Sequence, residues 1–184
     1  MPDEVRSATE YHTAVVVGGG QSGLATAYYQ RRYEMDFLIL DNQEEPGGAW
    51  LHAWPSLTLF SAAEFSNLPG WPVPQYPGYP PARHVIDYLT SYERRYDLPV
   101  RCPVHVRSVS HDGGMFFLDS TEGQCTAEHV VGALRAPLSR YLPRTPTALV
   151  DLPRTRPIPR REDRGGRWRF RPEPRGHCRA SSST

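Results

Sequence analysis

The first forty residues alternate between apolar runs and one amphipathic stretch. The segment HTAVVVGGG (residues 12–20) has three consecutive valines before its glycines, which is typical of a strand buried on both faces of a parallel sheet. Ser22 to Arg32 has apolar residues at helical spacing and two arginines in its last turn, which predicts a helix. Phe37 to Leu40 predicts a second buried strand. Strand, glycine turn, helix and strand together predict a βαβ unit.

The later pattern predicts one more helix and a group of short strands. His84 to Tyr96 is amphipathic and predicts a helix. Three short strands are predicted at Val104 to Val109, Met115 to Leu118 and Cys125 to Val131, with the turns HDGG and STEG between them. The predicted fold class is therefore α/β, with a parallel sheet and a small antiparallel excursion.

Residues 42–81 are rich in proline and aromatic residues and have no regular period. Their apolar content is too high for a disordered segment. We expect an irregular but packed excursion whose large apolar side chains are buried, namely Trp50, Trp54, Leu57, Leu59, Phe60, Phe65, Leu68 and Trp71.

The net charge of +1 hides a division between two parts of the chain. Residues 1–134 carry eight arginines against sixteen acids, and residues 135–184 carry thirteen arginines against four acids. After Ala133 neither the strand period nor the helix period persists. We predict a disordered Arg/Pro-rich tail over residues 134–184, read out of frame or degenerate in origin. The alternative is a tail that binds a polyanion through its arginines, Trp168 and Phe170.

The glycine turn after the first strand carries the clearest chemistry. Gly18, Gly20 and Gly23 form G-x-G-x-x-G between a predicted strand and a predicted helix. The first glycine permits a tight turn, the second lets a pyrophosphate approach the backbone, and the third allows the helix to pack closely on the strand. Asp41 follows Gly23 by eighteen residues, where a carboxylate would bind a ribose. An acid disfavours a 2′-phosphate, so this pattern predicts NAD or FAD as the ligand.

The motif PGGAW follows Asp41 closely. Together with VVVGGGQSGLATAYY, FLILD, LPGWP and VIDYL, it resembles the amino-terminal FAD-binding part of flavin-containing monooxygenase-like oxidoreductases over residues 11–133. The resemblance implies a Rossmann-like FAD-binding domain. It also implies cofactor-binding roles at the pyrophosphate, the ribose and the flavin for Gly18, Gly20, Gln21, Ser22, Gly23, Asp41, Gly48 and Trp50.

The resemblance also implies an activity. Such enzymes use NADPH and FAD to transfer oxygen to a substrate, and they need a second nucleotide-binding domain. In the family an Ala-Thr-Gly segment follows the last predicted strand, and of this segment only Ala133 is present here. We therefore expect a truncated, inactive FAD domain that lacks the NADPH domain, with no assignable catalytic residue. The alternative is a non-catalytic nucleotide-binding or interaction fragment.

The cysteine spacing and the lengths of the apolar runs argue against a zinc protein and against a membrane-spanning or secreted protein. The three cysteines have no Cys-x-x-Cys spacing, which argues against a zinc site, so we expect no metal. No apolar run reaches membrane-spanning length, and the acidic start of the chain has no apolar core. We expect a cytoplasmic protein that binds a small-molecule cofactor and an unidentified substrate, but no membrane and no nucleic acid.

Overall fold

The structure, a computed structural model, describes residues 9–134. The predicted tail after Leu134 lies outside the described residues. The strands and helices, in chain order, are β1 (Glu10–Val17), α1 (Gln21–Arg32), β2 (Phe37–Leu40), α2 (Ala82–Arg95), β3 (Val100–Arg101), β4 (Val106–Asp112), β5 (Met115–Ser120) and β6 (Gly123–Gly132). Two short 3₁₀ turns, Gly48–His52 and Ala63–Phe65, lie between β2 and α2.

The strands form one six-stranded mixed sheet in the order β3-β2-β1-β6-β5-β4. β1 pairs in parallel with both β2 and β6, with Val17 opposite Leu40 on one side and Gly132 on the other. β5 runs antiparallel to β6 and to β4. The predicted α/β class, with a parallel sheet and an antiparallel excursion, is confirmed. After β1 the chain adds β2 on one side of β1, and it later adds β6 on the other side. In open α/β sheets, ligands bind beyond the carboxyl ends of the strands at the point where the strand order changes direction in this way.

Apolar clusters cover both faces of the parallel part of the sheet. On one face, Val16 packs with side chains of α1 and α2, including Leu24 and Leu89. On the other face, Val15 and Val17 pack with residues of the antiparallel strands. All three valines are at most 5% exposed. Every position of the apolar run in β1 is buried because a separate apolar cluster packs on each face of the strand.

The two helices lie on the same face and are joined at their ends. α2 buries Val85, Leu89 and Tyr92 along one side, as its amphipathic pattern predicted. The guanidinium group of Arg31, in the last turn of α1, donates to the backbone oxygen of Asp97 (2.8 Å) and to its carboxylate (2.7 Å). This contact fixes the end of α1 against the turn that follows α2.

The expected burial of the proline-rich excursion is wrong for its most prominent aromatic residues. Trp54, Phe60 and Phe65 are 62%, 92% and 76% exposed. Other residues of the excursion do pack on the core: Ala63 and Val73 are buried in it, and Trp50, Leu59, Leu68 and Trp71 are partly buried against it. Hydrogen bonds from α2 to the backbone of the excursion add to this packing. The hydroxyl of Tyr88 accepts from the Leu68 N–H (2.9 Å) and donates to the Trp71 oxygen (2.6 Å). Anchoring through the backbone leaves aromatic side chains elsewhere in the excursion free to face solvent.

Candidate functional site

A cleft of about 510 Å³ lies beyond the carboxyl ends of β1, β2 and β6. The three strand ends are tied together there. The Gly18 N–H donates to the Leu40 oxygen (2.8 Å), and the Ala133 N–H donates to the Val17 oxygen (2.9 Å). The residues that line the cleft are Gly18, Gly19, Gly20, Gln21, Ser22, Asp41, Asn42, Gln43, Gly48, Ala49, Trp50, His52, Gly132, Ala133 and Leu134.

The glycines of the turn after β1 are required for two different steric reasons. Gly18 has φ +110°, and a Cβ there would lie 2.7 Å from the Ala133 oxygen. A Cβ on Gly23 would lie 1.9 Å from the Gly18 oxygen, because α1 packs directly on the turn. Gly20 differs from both, since the nearest atom to a Cβ built there would be the Gly48 Cα, at an ordinary contact distance of 3.9 Å. The turn is therefore closed on its protein side and open at Gly20, on the side of the cleft.

The start of α1 faces this opening. Gly20 is the N-cap residue, no side chain caps the helix, and its first turn contains no acid. The first backbone N–H groups of a helix have no partner within it, and the helix dipole makes this end positive. Gln21 and Ser22 line the cleft at the same point. This arrangement can bind an anion such as a phosphate.

Asp41 is buried at the inner wall of the cleft, with 6% of its surface exposed. Burial raises the pKa of its carboxyl group above the usual range, and hydrogen bonds from the backbone N–H groups of Gly19, Gln43 and Asn42 partly oppose that shift. The carboxylate is therefore held by three backbone donors on two segments, the glycine turn and the chain after β2. A carboxylate fixed in this way can accept hydrogen bonds from the hydroxyls of a sugar.

The Gly-Gly-x-Trp turn packs directly against the glycine turn. Gly47 and Gly48 have φ values of +137° and +55°. A Cβ on Gly48 would lie 2.7 Å from the Gly20 Cα, so the two backbones touch. The Trp50 N–H donates to the Gly47 oxygen (3.2 Å), and the half-buried Trp50 lines the cleft. Two motifs that are separate in sequence thus form adjoining walls of one cleft.

A chain of polar side chains runs along the rim of the cleft. His52 Nε2 lies 2.6 Å from Gln43 Oε1, and Gln43 Nε2 donates to Asn42 Oδ1 (2.8 Å). No site role was predicted from the sequence for these residues or for Gly19. No local signal marks them, because exposed polar side chains in an irregular segment have no periodicity.

The structure brings seven of the eight predicted site residues to the cleft wall. Gly23 lies behind the wall, where it supports the turn through its contact with Gly18. Within the described part of the chain, no group of three His, Cys, Asp or Glu side chains could hold a metal ion. Across residues 9–134, no helix is long and apolar enough to cross a membrane.

The parallel strands, the glycine turn and the acid at the end of β2 define a Rossmann-type domain with a cleft at the carboxyl ends of its strands. The profile of the pyridine nucleotide-disulphide oxidoreductase family matches residues 15–134, and the chain belongs to this family.

Individual proteins similar to this chain include monooxygenases and an uncharacterized oxidoreductase. A solved flavin-containing monooxygenase from Stenotrophomonas maltophilia is 46% identical, with a TM-score of 0.66 over 68% of this chain and 38% of that one. An uncharacterized CzcO-like oxidoreductase from Geobacillus kaustophilus is 32% identical over 74% of this chain and 40% of its own. The probable indole-3-pyruvate monooxygenase YUCCA9 of Arabidopsis thaliana is 35% identical over 53% of this chain and 24% of its own. The chain thus spans at most about 40% of these relatives.

Proposed function

We propose that the chain binds FAD across the cleft. The observation that carries this proposal is the backbone contact between Gly20 and Gly48, which joins the glycine turn to the Gly-Gly-x-Trp turn. A glycine turn and an acid alone would suit NAD equally well. The second turn adds a wall with an indole ring, and a flavin-containing monooxygenase is 46% identical to this chain.

In this proposal each wall of the cleft binds a different part of the dinucleotide. The pyrophosphate lies at the start of α1, where Gly20 leaves room and the backbone N–H groups near Gln21 and Ser22 can donate. Gly18 and Gly23 shape this turn without contacting the ligand through side chains. The arrangement neutralises phosphate charge through backbone dipoles, without a lysine or arginine among the residues that line the cleft.

The two ends of the dinucleotide have separate partners. Asp41 accepts hydrogen bonds from the ribose hydroxyls of the adenosine half, and its negative charge repels a 2′-phosphate. Gly48 and Trp50 lie beside the flavin half, where the contact of Gly48 with Gly20 joins the two turns into one wall and the Trp50 ring covers apolar surface. Bound FAD supplies hydride and electron transfer, and these residues bind it, orient it and limit its contact with water.

A second proposal concerns the oxidoreductase activity of the full-length relatives and whether this chain has it. A monooxygenase-like, NAD(P)H-using oxidoreductase needs a nicotinamide site beside the flavin. Among residues 9–134 the single G-x-G-x-x-G turn is the one assigned here to FAD. We therefore expect residues 11–133 to act as a flavin-binding domain without turnover of their own. The substrate and the oligomeric state are not assigned.

Retention of flavin by the purified chain tests the first proposal. The full chain, incubated with FAD and passed through a gel-filtration column, should keep flavin absorbance in the protein peak. The variant Asp41→Leu should elute without flavin while its circular dichroism spectrum stays that of the wild type. A folded wild-type protein that elutes free of flavin would contradict the proposal.

Consumption of NADPH tests the second proposal. With FAD and oxygen present, we expect the chain to oxidise NADPH no faster than free flavin does. A flavin-dependent rate well above that background would show that the chain has turnover and would reject the alternative of a non-catalytic nucleotide-binding fragment. A cytoplasmic location, where NADPH and FAD are supplied, belongs to the same proposal and can be tested by cell fractionation.

A further inference from the structure

The rim segment, residues 42–52, connects the acid at the end of β2 with the turn that contains Trp50. Its first two residues are fixed to the cleft wall, because the N–H groups of Asn42 and Gln43 donate to the Asp41 carboxylate. Its last residue, His52, ends the 3₁₀ turn that begins at Gly48. The two ends of the rim segment meet through side chains.

The direction of the hydrogen bonds along the rim follows from the acceptor at its centre. Gln43 Oε1 can only accept, so His52 Nε2 carries the hydrogen of their 2.6 Å contact. Gln43 Nε2 then donates to Asn42 Oδ1 at 2.8 Å. Among the described residues, no side chain or backbone group accepts from Asn42 Nδ2. Asn42 is exposed and lines the cleft beside Asp41.

We propose that His52 is a positioning residue which, through Gln43, holds Asn42 with its amide N–H₂ group available to donate to the adenosine half of a dinucleotide. The inference rests on the proposed binding of FAD and adds a specific donor to it. The acceptor is a ring nitrogen, a ribose oxygen or a phosphate oxygen next to the ribose bound by Asp41.

The physical advantage is preorganisation. A free, exposed asparagine loses rotamer freedom when it binds a ligand, and that loss reduces the affinity. Here the hydrogen bond from Gln43 fixes the amide before the ligand arrives, and His52 fixes Gln43 in turn.

The test is a double-mutant cycle on the full chain, with ADP as the probe and dissociation constants measured by titration calorimetry. Asn42→Ala removes the donor and should weaken ADP binding about three- to tenfold, the range expected for one exposed hydrogen bond. His52→Leu should weaken it to a similar or smaller extent. His52→Gln should restore most of the affinity, because its amide can still donate to Gln43.

The double variant distinguishes positioning from general structural support. If His52 acts through Asn42, the variant with both Asn42→Ala and His52→Leu should bind ADP no more weakly than Asn42→Ala alone. Additive losses, or a glutamine at position 52 that behaves like leucine, would overturn the inference. Thermal melting of each variant checks that it is folded.

The outcome also separates this inference from the proposal on which it rests. If the wild-type chain binds neither FAD nor ADP, the proposed function fails and the inference fails with it. If the wild type binds both ligands and Asn42→Ala and His52→Leu bind them equally well, FAD binding stands and only the role of the rim segment is rejected.

Discussion

The carboxylate of Asp41 lies directly against the backbone of Gly19. The Gly19 N–H donates to it, and a Cβ on Gly19 would lie 2.6 Å from Asp41 Oδ2. Gly19 is a variable position of the G-x-G-x-x-G pattern, yet here it has to be glycine because the acid occupies the space of a side chain. The acid and the glycine turn therefore form one unit before any ligand binds.

A methyl group should cost more folding stability at Gly19 than at the adjacent Gly20. Gly19→Ala should displace the Asp41 carboxylate and cost about 1–3 kcal/mol of unfolding free energy, as overpacking does. Gly20→Ala has free space in front of it, so its cost should be limited to the weaker N-capping of alanine, about 0.5–1 kcal/mol. The same methyl group occupies the place where a pyrophosphate would approach, so Gly20→Ala should lose FAD binding.

Urea unfolding and flavin retention measured on both variants check this prediction. The pair serves as its own control, since each variant adds one methyl group within the same turn. Equal destabilisation by the two substitutions would mean that the contact between Gly19 and Asp41 does not exist in solution. Full flavin retention by Gly20→Ala would show that no phosphate approaches the turn there.

Removal of one buried hydroxyl should loosen the proline-rich excursion. The Tyr88 side chain is 3% exposed, and its hydroxyl bridges the Leu68 N–H and the Trp71 oxygen. Tyr88→Phe leaves both groups without that partner and should cost about 1–3 kcal/mol. Hydrogen exchange should rise in residues 66–74. Tyr29→Phe, on a 49% exposed ring, is the matched control and should change neither quantity.

The pair of Glu10 and Arg101 should make stability sensitive to acid. The two guanidinium nitrogens lie 2.6 Å from the two carboxylate oxygens, and this hydrogen bonding lowers the pKa of Glu10. The stabilisation is present above the ordinary pKa of a glutamate and is lost as the pH falls through the lowered value. Because both side chains are about one third exposed, we expect Arg101→Leu to cost only about 1 kcal/mol at neutral pH.

Urea unfolding at several pH values tests this expectation. The difference between wild type and Arg101→Leu should shrink below about pH 4, where the carboxylate is increasingly protonated. Arg83→Leu breaks the exposed pair with Asp87 and provides the comparison, with an expected loss of about 0.5 kcal/mol or less. A difference for Arg101→Leu that stays constant into acid would show that the loss comes from packing instead.

Elements with a strong local pattern could be predicted from the sequence. The bounds predicted for α1 and β2 agree with the structure to within one residue, because helical spacing and an apolar run are local signals. β3 was not predicted, since its two residues have no pattern of their own. They are held by β2, through the Ile39 N–H to the Pro99 oxygen (3.0 Å) and the Asp41 N–H to the Arg101 oxygen (3.0 Å).

In the candidate site too, only the residues with a local sequence signal could be predicted. Glycine spacing and the acid after a strand are local, so Gly18, Gly20 and Asp41 could be selected from the sequence. The contact of Gly48 with Gly20 and the rim segment depend on how an irregular stretch folds back, which no period encodes. The wrong expectation for Phe60 has a related cause, because apolar composition does not tell which side chains of an irregular segment find a partner.

A second buried carboxyl group should make the domain less stable as the pH rises. Glu93 on α2 is 4% exposed, and burial, together with the charge of Asp41, raises the pKa of Glu93 to about 7. The folded chain therefore holds this proton at pH values where the unfolded chain has released it. Stability falls as the pH rises from the ordinary pKa of a glutamate through about 7, and the penalty for the ionised form is complete above that value.

Glu93→Gln removes this penalty because the amide is neutral at every pH. We expect the variant and the wild type to unfold alike at about pH 4, and the variant to be more stable at about pH 8 by up to about 3 kcal/mol. Urea unfolding across this range measures the difference. Glu45→Gln, which removes an exposed carboxylate on the same domain, should give a difference that is small and nearly constant. A wild type as stable as Glu93→Gln at about pH 8 would mean that Glu93 reaches water in solution. In that case neither burial nor the charge of Asp41 would raise the pKa of Glu93.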